Sequence, residues 1–231
     1  MKKTSNNKEP SKKKHGLLVI VAGGIAPAGQ ELTFLEQAEH ILCADSGGRH
    51  LFDMGLLPEA VIGDGDSLPR EAEQSFIAQG VNFIKYPAEK DYTDTQLAVE
   101  FAIEQGAQDI VLIGSCGGRL DHELANISLL VKYNNDFQRL RLANNNSIVF
   151  VLDKETIITG NIGDIISILP ITESVSGVTL KGLKYPLSMK KILMGDNIGI
   201  SNEFTETQAV ISLTEGRLLV IHTVIPLNTD K

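Results

Sequence analysis

What most constrains this chain is a change of hydrophobic rhythm near residue 144. From Gly16 to about Ala143, short β-branched runs alternate with helical patterns, the signature of a parallel sheet with crossover helices. Strands are expected at Leu17–Ala22, Ile41–Ala44, Ala60–Ile62, Val81–Tyr86, Ile110–Ile113 and Arg139–Ala143. The clearest helix starts at Thr93, whose hydroxyl can cap it while Gln96 reaches back; Leu97, Ala98, Phe101 and Ala102 form its apolar face. After Asn144-Asn145-Asn146, strand-length Val/Ile runs recur at short spacing, broken by glycines such as Gly160, Gly177 and Gly199, which is an all-β pattern. A chain of 231 residues, 42% hydrophobic, can bury two such cores. The expectation is therefore a tail over 1–15, an α/β parallel-sheet domain over 16–145 and a smaller β-sandwich over 146–231.

Charge narrows the partners. Residues 1–15 hold six lysines and one glutamate, which leaves 15 basic against 28 acidic residues in the rest, a balance near −13. The tail reads as disordered and lacks the apolar stretch of a secretory signal. An acidic body has no general attraction for nucleic acid or anionic lipid, so no nucleic-acid partner is expected. No apolar run approaches the roughly 20 residues that cross a bilayer, so no membrane partner is expected either. Cys43 and Cys116 lie 73 positions apart with no metal-binding spacing and read as reduced thiols of a cytoplasmic protein.

Six aspartates follow the carboxyl ends of expected strands: Asp45, Asp64 and Asp66, Asp91 and Asp94, and Asp121. In an open parallel sheet those ends face one edge, where ligands bind in crevices between loops. In Gly63-Asp64-Gly65-Asp66-Ser67 the acids stand at i and i+2, so an extended loop points both carboxylates to one side. Hard oxygen donors of this kind suit Mg²⁺ held by one or two carboxylates together with substrate phosphates, and Asp94 could supply a third ligand. Taken alone, an Asp-x-Asp pair is more often an ordinary turn than a metal site, and Asp94 has a competing explanation as a first-turn acid favoured by the helix dipole. Gly114 to His122 joins a buried strand to a helix, where backbone N–H groups can cradle an anion and Arg119 adds a fork-shaped phosphate donor. Gly23-Gly24 is a weaker cradle of the same kind, and His122 reads as a capping or packing residue.

Together these residues resemble the thiamine pyrophosphokinase family. The matching segments are Ala44-Asp45-Ser46-Gly47, Leu57-Pro58 through Ser67, Asp91-Tyr92-Thr93-Asp94, Gly117-Gly118-Arg119-Leu120-Asp121-His122, Gly182 to Leu187, and Ser201-Asn202-Glu203. The resemblance implies a Rossmann-like α/β domain binding ATP and metal, a β-sandwich that helps bind thiamine, and a homodimer. It implies transfer of diphosphate from ATP to the thiamine hydroxyl, with Mg²⁺ as cofactor and AMP as second product. By position it makes Asp64, Asp66 and Asp94 metal ligands. Asp45, Ser46, Gly47, Thr93, Gly117, Gly118 and Arg119 fall to ATP, and Asp121, Ser201 and Asn202 to thiamine. Asp91, Asp121 and Arg119 become the catalytic candidates. Gly65 stands where the family usually has a bulky aromatic residue, and the chain has no tryptophan to place against thiamine, leaving Tyr185 or Phe204 for that contact. Two rival readings of the acidic edge are a metal-dependent nucleotide-sugar transferase and a thiamine- or nucleotide-sensing module without turnover.

Overall fold

The computed structural model describes residues 16–86, 91–134 and 139–226; the expected tail lies outside them. The chain divides into two compact units. The first takes in residues 16–26, Thr33–Leu129 and Tyr133–Leu140, and the second takes in Pro27–Leu32, Leu130–Lys132 and everything described from Arg141 onward.

In the first unit, strands β1 (Leu17–Val21), β2 (His40–Ala44), β3 (Ala60–Gly63), β4 (Asn82–Lys85) and β5 (Asp109–Ile113) form a sheet in the order β5-β1-β2-β3-β4. Every one of these pairs is parallel. Parallel strands need crossovers, and helices α1 (Gln30–Gln37), α2 (Gly47–Asp53), α3 (Arg70–Ala78) and α4 (Asp94–Glu104) supply them. Helix α5 (Leu120–Tyr133) follows β5. The strands β1, β2, β3 and β5 are covered on both faces, so they read as continuous apolar runs rather than alternating ones, whereas the edge strand β4 has both ends exposed. Leu18, Val19 and Ile20 of β1 and Ile110 to Ile113 of β5 are fully buried.

Helix α4 begins as its sequence predicts: the Thr93 hydroxyl accepts from Gln96 N at 3.2 Å. The Gln96 side chain does not complete a capping box. Its Nε2 instead donates to Glu100 Oε1 at 3.0 Å and to the Tyr133 hydroxyl at 3.2 Å, partners a turn along the helix and on α5 that outcompete the backbone.

The second unit contains an antiparallel sandwich. Its strands are β6 (Arg139–Asn144), which the chain enters from the first unit, β7 (Ser147–Leu152), β8 (Thr156–Thr159), β9 (Ile165–Pro170), β10 (Ser174–Lys181), β11 (Leu187–Leu193), β12 (Asn202–Glu203), β13 (Gln208–Ser212) and β14 (Leu218–Thr223). One sheet orders them β12-β9-β14-β7-β6, the other β11-β10-β13-β8. The expected asparagine turn is the two-residue loop Asn145-Asn146 of the β6–β7 hairpin, with Asn145 at φ 51°. Alternation is plain in β9, where Ile166 and Ile168 point inward. They join Val178 and Leu180 of β10, Ile211 of β13 and Val220 of β14 in one buried cluster between the sheets.

Candidate active site

All the β-strand carboxyl ends of the first unit lie at one edge, and a cavity of about 570 Å³ opens there. Four loops build its walls, the loop after β3 contributing Ser67. The loop after β1 brings Gly23 and Gly24; the loop after β2 brings Asp45 and Ser46; the loop after β5 brings Gly114, Ser115, Cys116, Gly118 and Arg119. Thr93 and Asp94 at the start of α4 complete the rim with His122, Glu123 and Asn126 of α5.

Two of these loops are stitched together through the backbone. Gly24 N donates to Gly114 O at 2.6 Å and Ile25 N to Cys116 O at 3.0 Å, extending the β1–β5 pairing past the ends of both strands. From α2, His50 Nε2 reaches Gly24 O at 3.0 Å. Asn126, buried on α5, donates Nδ2 to Ser115 O at 2.9 Å and so pins the other loop from behind.

The acids divide into a cluster and a periphery. Asp45, Asp64 and Asp66 each offer a carboxylate oxygen, and these oxygens lie within 4.8 Å of one another. Asp45 is 7% exposed with φ 41°, and its Oδ1 is buried without a hydrogen-bond partner among the described residues. Burial pushes its carboxyl above the ordinary value, with the Asp94 and Asp64 charges adding to it and the Ser67 hydroxyl opposing. An orphaned buried carboxylate oxygen facing two others is a donor set that fits a hard divalent cation. Asp45 thus joins Asp64 and Asp66 as a carboxylate within reach, with the Asp94 carboxylate beside it. Asp94 lines the cavity close by, 3.0 Å from where a Cβ on Gly63 would stand. Between the paired acids, Gly65 sits at φ 81°, a conformation that costs side-chain-bearing residues strain. Asp66 N donates back to Asp64 Oδ1 at 3.1 Å, and Ser67 Oγ donates to Asp66 Oδ1 at 2.7 Å, which holds this loop in a local turn.

Asp91 and Asp121 are not brought into that cluster. Asp91 is exposed at a bend ahead of α4. Asp121, in the first turn of α5, takes a two-point contact from Arg119, Nε to Oδ1 at 3.1 Å and Nη2 to Oδ2 at 2.6 Å. The Arg119 hydrogen bonds hold its carboxyl below the ordinary value. The two glycine N–H groups expected to cradle phosphate also have a partner, Glu123 Oε1, at 2.7 Å from Gly117 N and 3.1 Å from Gly118 N. Glu123 escaped the sequence reading, although an acid in a helix's first turn that reaches back to preceding N–H groups is a recognisable signal.

Gly47 has a structural reason to be glycine. A Cβ there would stand 2.1 Å from Val21 O, so α2 can pass β1 this closely only without a side chain. Cys43 is buried in β2, and burial pushes its thiol far up, so it is unreactive; Cys116 is half-buried.

The thiamine-assigned pair belongs to the second unit. Ser201 is exposed at φ 54°, its N–H donating to Ser167 Oγ at 3.0 Å. Asn202 is 1% exposed and clamps a neighbouring loop: Oδ1 accepts from Tyr185 N at 2.9 Å and Nδ2 donates to Tyr185 O at 2.8 Å. Phe204 is fully buried against the His222 ring at 5.1 Å, a core residue closed to ligand stacking, whereas Tyr185 is 61% exposed.

Comparison with known proteins agrees with this layout. The family described as "Thiamin pyrophosphokinase, catalytic domain" matches residues 32–142, and "Thiamin pyrophosphokinase, vitamin B1 binding domain" matches 154–218. A thiamine pyrophosphokinase of Bacillus subtilis (strain 168) is 34% identical over 206 residues, spanning 87% of this chain and 96% of its own. The crystal structure of thiamine pyrophosphokinase from Bacillus subtilis superposes with a TM-score of 0.82 at 30% identity, covering 91% of this chain and 100% of that one. That of thiamin pyrophosphokinase from Geobacillus thermodenitrificans gives 0.80 at 32% identity, covering 91% and 99%. With both family regions in order along the chain and relatives matched over almost their whole length, the chain belongs to the thiamin pyrophosphokinase family.

Proposed function

We infer that the chain transfers diphosphate from ATP to the hydroxyl of thiamine, giving thiamine diphosphate and AMP, in an Mg²⁺-dependent reaction. The observation that carries this reading is the Asp45–Asp64–Asp66 cluster with its orphaned Asp45 oxygen, set beside a cavity large enough for a nucleotide in a chain of this family. The thiamine oxygen forms a bond to the β-phosphorus as the bond from that phosphorus to the α–β bridging oxygen breaks; the hydroxyl proton passes to a carboxylate or to water. Such chemistry is mostly positioning and charge neutralisation. Asp45, Asp64 and Asp66 would hold the cation with Asp94 beside them, and the bound cation would offset polyphosphate charge that an acidic pocket otherwise repels.

Other roles follow from the same placement. Ser46, Gly47 and Thr93 lie at or beside the nucleotide cavity, and Gly117, Gly118 and Arg119 would offer donors to phosphate oxygens once released from Glu123 and Asp121. Asp121, kept ionised by Arg119, suits orienting the thiamine hydroxyl more than accepting its proton, and Asp91 is then the remaining candidate base. In the second unit, Ser201 would touch thiamine directly and Asn202 would act by fixing Tyr185, the exposed ring available to the cationic thiazolium. Exposed Met189 and Leu193 on the edge strand β11, with Lys190 and Lys191 between them, offer a second copy an edge unpaired among the described residues, in keeping with a homodimer. Two free cysteines suit a reducing compartment such as the cytoplasm.

The test is AMP release measured with thiamine, with and without Mg²⁺. Asp66→Asn should fold normally yet lose more than about 100-fold in turnover, beyond what loss of an outer-shell partner causes. Near-normal activity in that variant would remove Asp66 from the metal site. UMP or UDP release from a nucleotide sugar would favour the transferase reading, and tight ATP binding without AMP the sensing one.

A further inference from the structure

The loop after β5 holds an anion cradle, and a carboxylate of the chain itself occupies it. Two successive N–H groups, of Gly117 and Gly118, converge on Glu123 Oε1 at 2.7 and 3.1 Å, which is how such a pair takes a phosphate oxygen. Arg119, the next residue, is likewise engaged by Asp121. Each phosphate-seeking group of this loop is therefore neutralised by an acid from the first turn of α5. A separate observation shows demand that the chain does not meet. Ser115 lines the cavity, is 4% exposed, and its Oγ has no hydrogen-bond partner among the described residues, while Asn126 fixes its carbonyl. A buried hydroxyl is rarely left so without a ligand to satisfy it.

We propose that Glu123 is a stand-in for phosphate: its carboxylate keeps the Gly117–Gly118 N–H pair in shape and gives it up to an oxygen of an incoming polyphosphate. This rests on the reading of ATP as the diphosphate donor. Glu123 leaves rather than stays because the cavity already carries Asp45 and Asp94, and a polyphosphate at the same N–H pair would face a third negative charge at contact distance. The half-buried carboxylate regains water when it swings out, so its departure is inexpensive. The exchange favours ligands of high charge: a polyphosphate with its cation displaces the carboxylate, and a monophosphate such as AMP yields the pair back to it.

The test removes the charge and keeps the hydrogen-bond acceptor. In Glu123→Gln the amide oxygen can still accept from both N–H groups, but a neutral acceptor holds them less strongly. Binding of inorganic tripolyphosphate and of ATP, each with Mg²⁺, should tighten about fivefold in calorimetry, the difference between a charged and a neutral hydrogen-bond partner. Thiamine binding should be unchanged. Unchanged or weaker tripolyphosphate binding in a variant with the wild-type thermal midpoint would overturn the proposal. Should the variant fold poorly, glycine-labelled wild-type protein decides: the Gly117 and Gly118 amide resonances move on adding tripolyphosphate with Mg²⁺ if the partner is exchanged, and stay if it is not. Neither measurement needs turnover, so an absence of AMP release, which would sink the proposed activity, leaves this result readable on its own.

Discussion

At the scale of single residues, the site shows how one residue type serves unlike purposes a few positions apart. Gly47 and Gly118 both fall in segments assigned to phosphate. A methyl group on Gly47 would overlap Val21 O, whereas one on Gly118 meets nothing within 4 Å, and Gly118 is not held at positive φ. Gly47→Ala should therefore lower stability by about 3 kcal/mol, the upper end of overpacking costs, because the obstacle is backbone and cannot turn aside. Gly118→Ala should leave the thermal midpoint within about 1 °C, since open-space substitutions away from special geometry cost little. Equal midpoints for the two variants in a thermal melt would refute the packing account of Gly47. No feature of Ala44-Asp45-Ser46-Gly47 as a string distinguishes a phosphate glycine from a packing glycine. The difference lies in how close β1 passes, which only the folded chain defines. For the same reason Asp45 read as a nucleotide contact: its entry into the Asp64–Asp66 cluster depends on a left-handed backbone at φ 41° that local sequence does not announce.

At the scale of elements, the inner parallel strands were legible because burial on both faces leaves unbroken apolar runs. β1, β2, β3, β5 and β6 lie within a residue of their expected limits at each end, and β4 is shorter by one at each end. Thr93 as the start of α4 was legible through capping chemistry; the further fate of the Gln96 side chain was not, since Tyr133 arrives from 37 residues away. In the sandwich most of the repeated glycines marked turns, but Gly177, expected to break a run, lies inside β10 at φ 68° where the register shifts, and the pairing of β9 with β14 and of β10 with β13 depends on long-range contacts. The two-residue strand β12 is held largely by one side chain. Asn202 bonds the backbone of Tyr185 on both its N–H and C=O, and accepts from Glu203 N at 3.0 Å. Asn202→Ala would leave the Tyr185 groups without this partner, so chemical denaturation should show a loss of about 2 kcal/mol. Its KM for thiamine should rise, whereas a change confined to the KM for ATP would contradict the role given to Tyr185.

At the scale of the whole molecule, each unit carries its own core, and the second adds a buried polar tie. Asp164, 1% exposed, accepts from Asn161 N at 2.8 Å, Ile225 N at 3.0 Å and His222 Nε2 at 3.1 Å. Burial alone would raise its carboxyl, but these donors outweigh burial and hold it below the ordinary value. The folded carboxyl thus releases its proton more readily than the unfolded one. Its stabilisation is complete above the ordinary carboxylate range and is lost as pH falls through that range to the depressed value. Asp164→Asn should cost about 3 kcal/mol at neutral pH, the scale of buried donors left without a charged acceptor. It should also flatten the acid limb of the stability profile, and a profile of wild-type steepness in that variant would exclude Asp164 as its source.

The stitch between Gly24 and Gly114, continued at Ile25 and Cys116, bears on where the molecule can yield. It turns two loop exits into a prolongation of the central sheet, so that side of the nucleotide cavity is as stiff as the strands beneath it and loses no conformational freedom when a ligand arrives. The entropic cost of ordering then falls on the Gly63–Ser67 turn and, past Cys116, on Gly117 to Glu123, whose contacts are short-range and solvent-facing. Affinity in such a site is set by how little those two segments must be quieted, with the floor already in its final form.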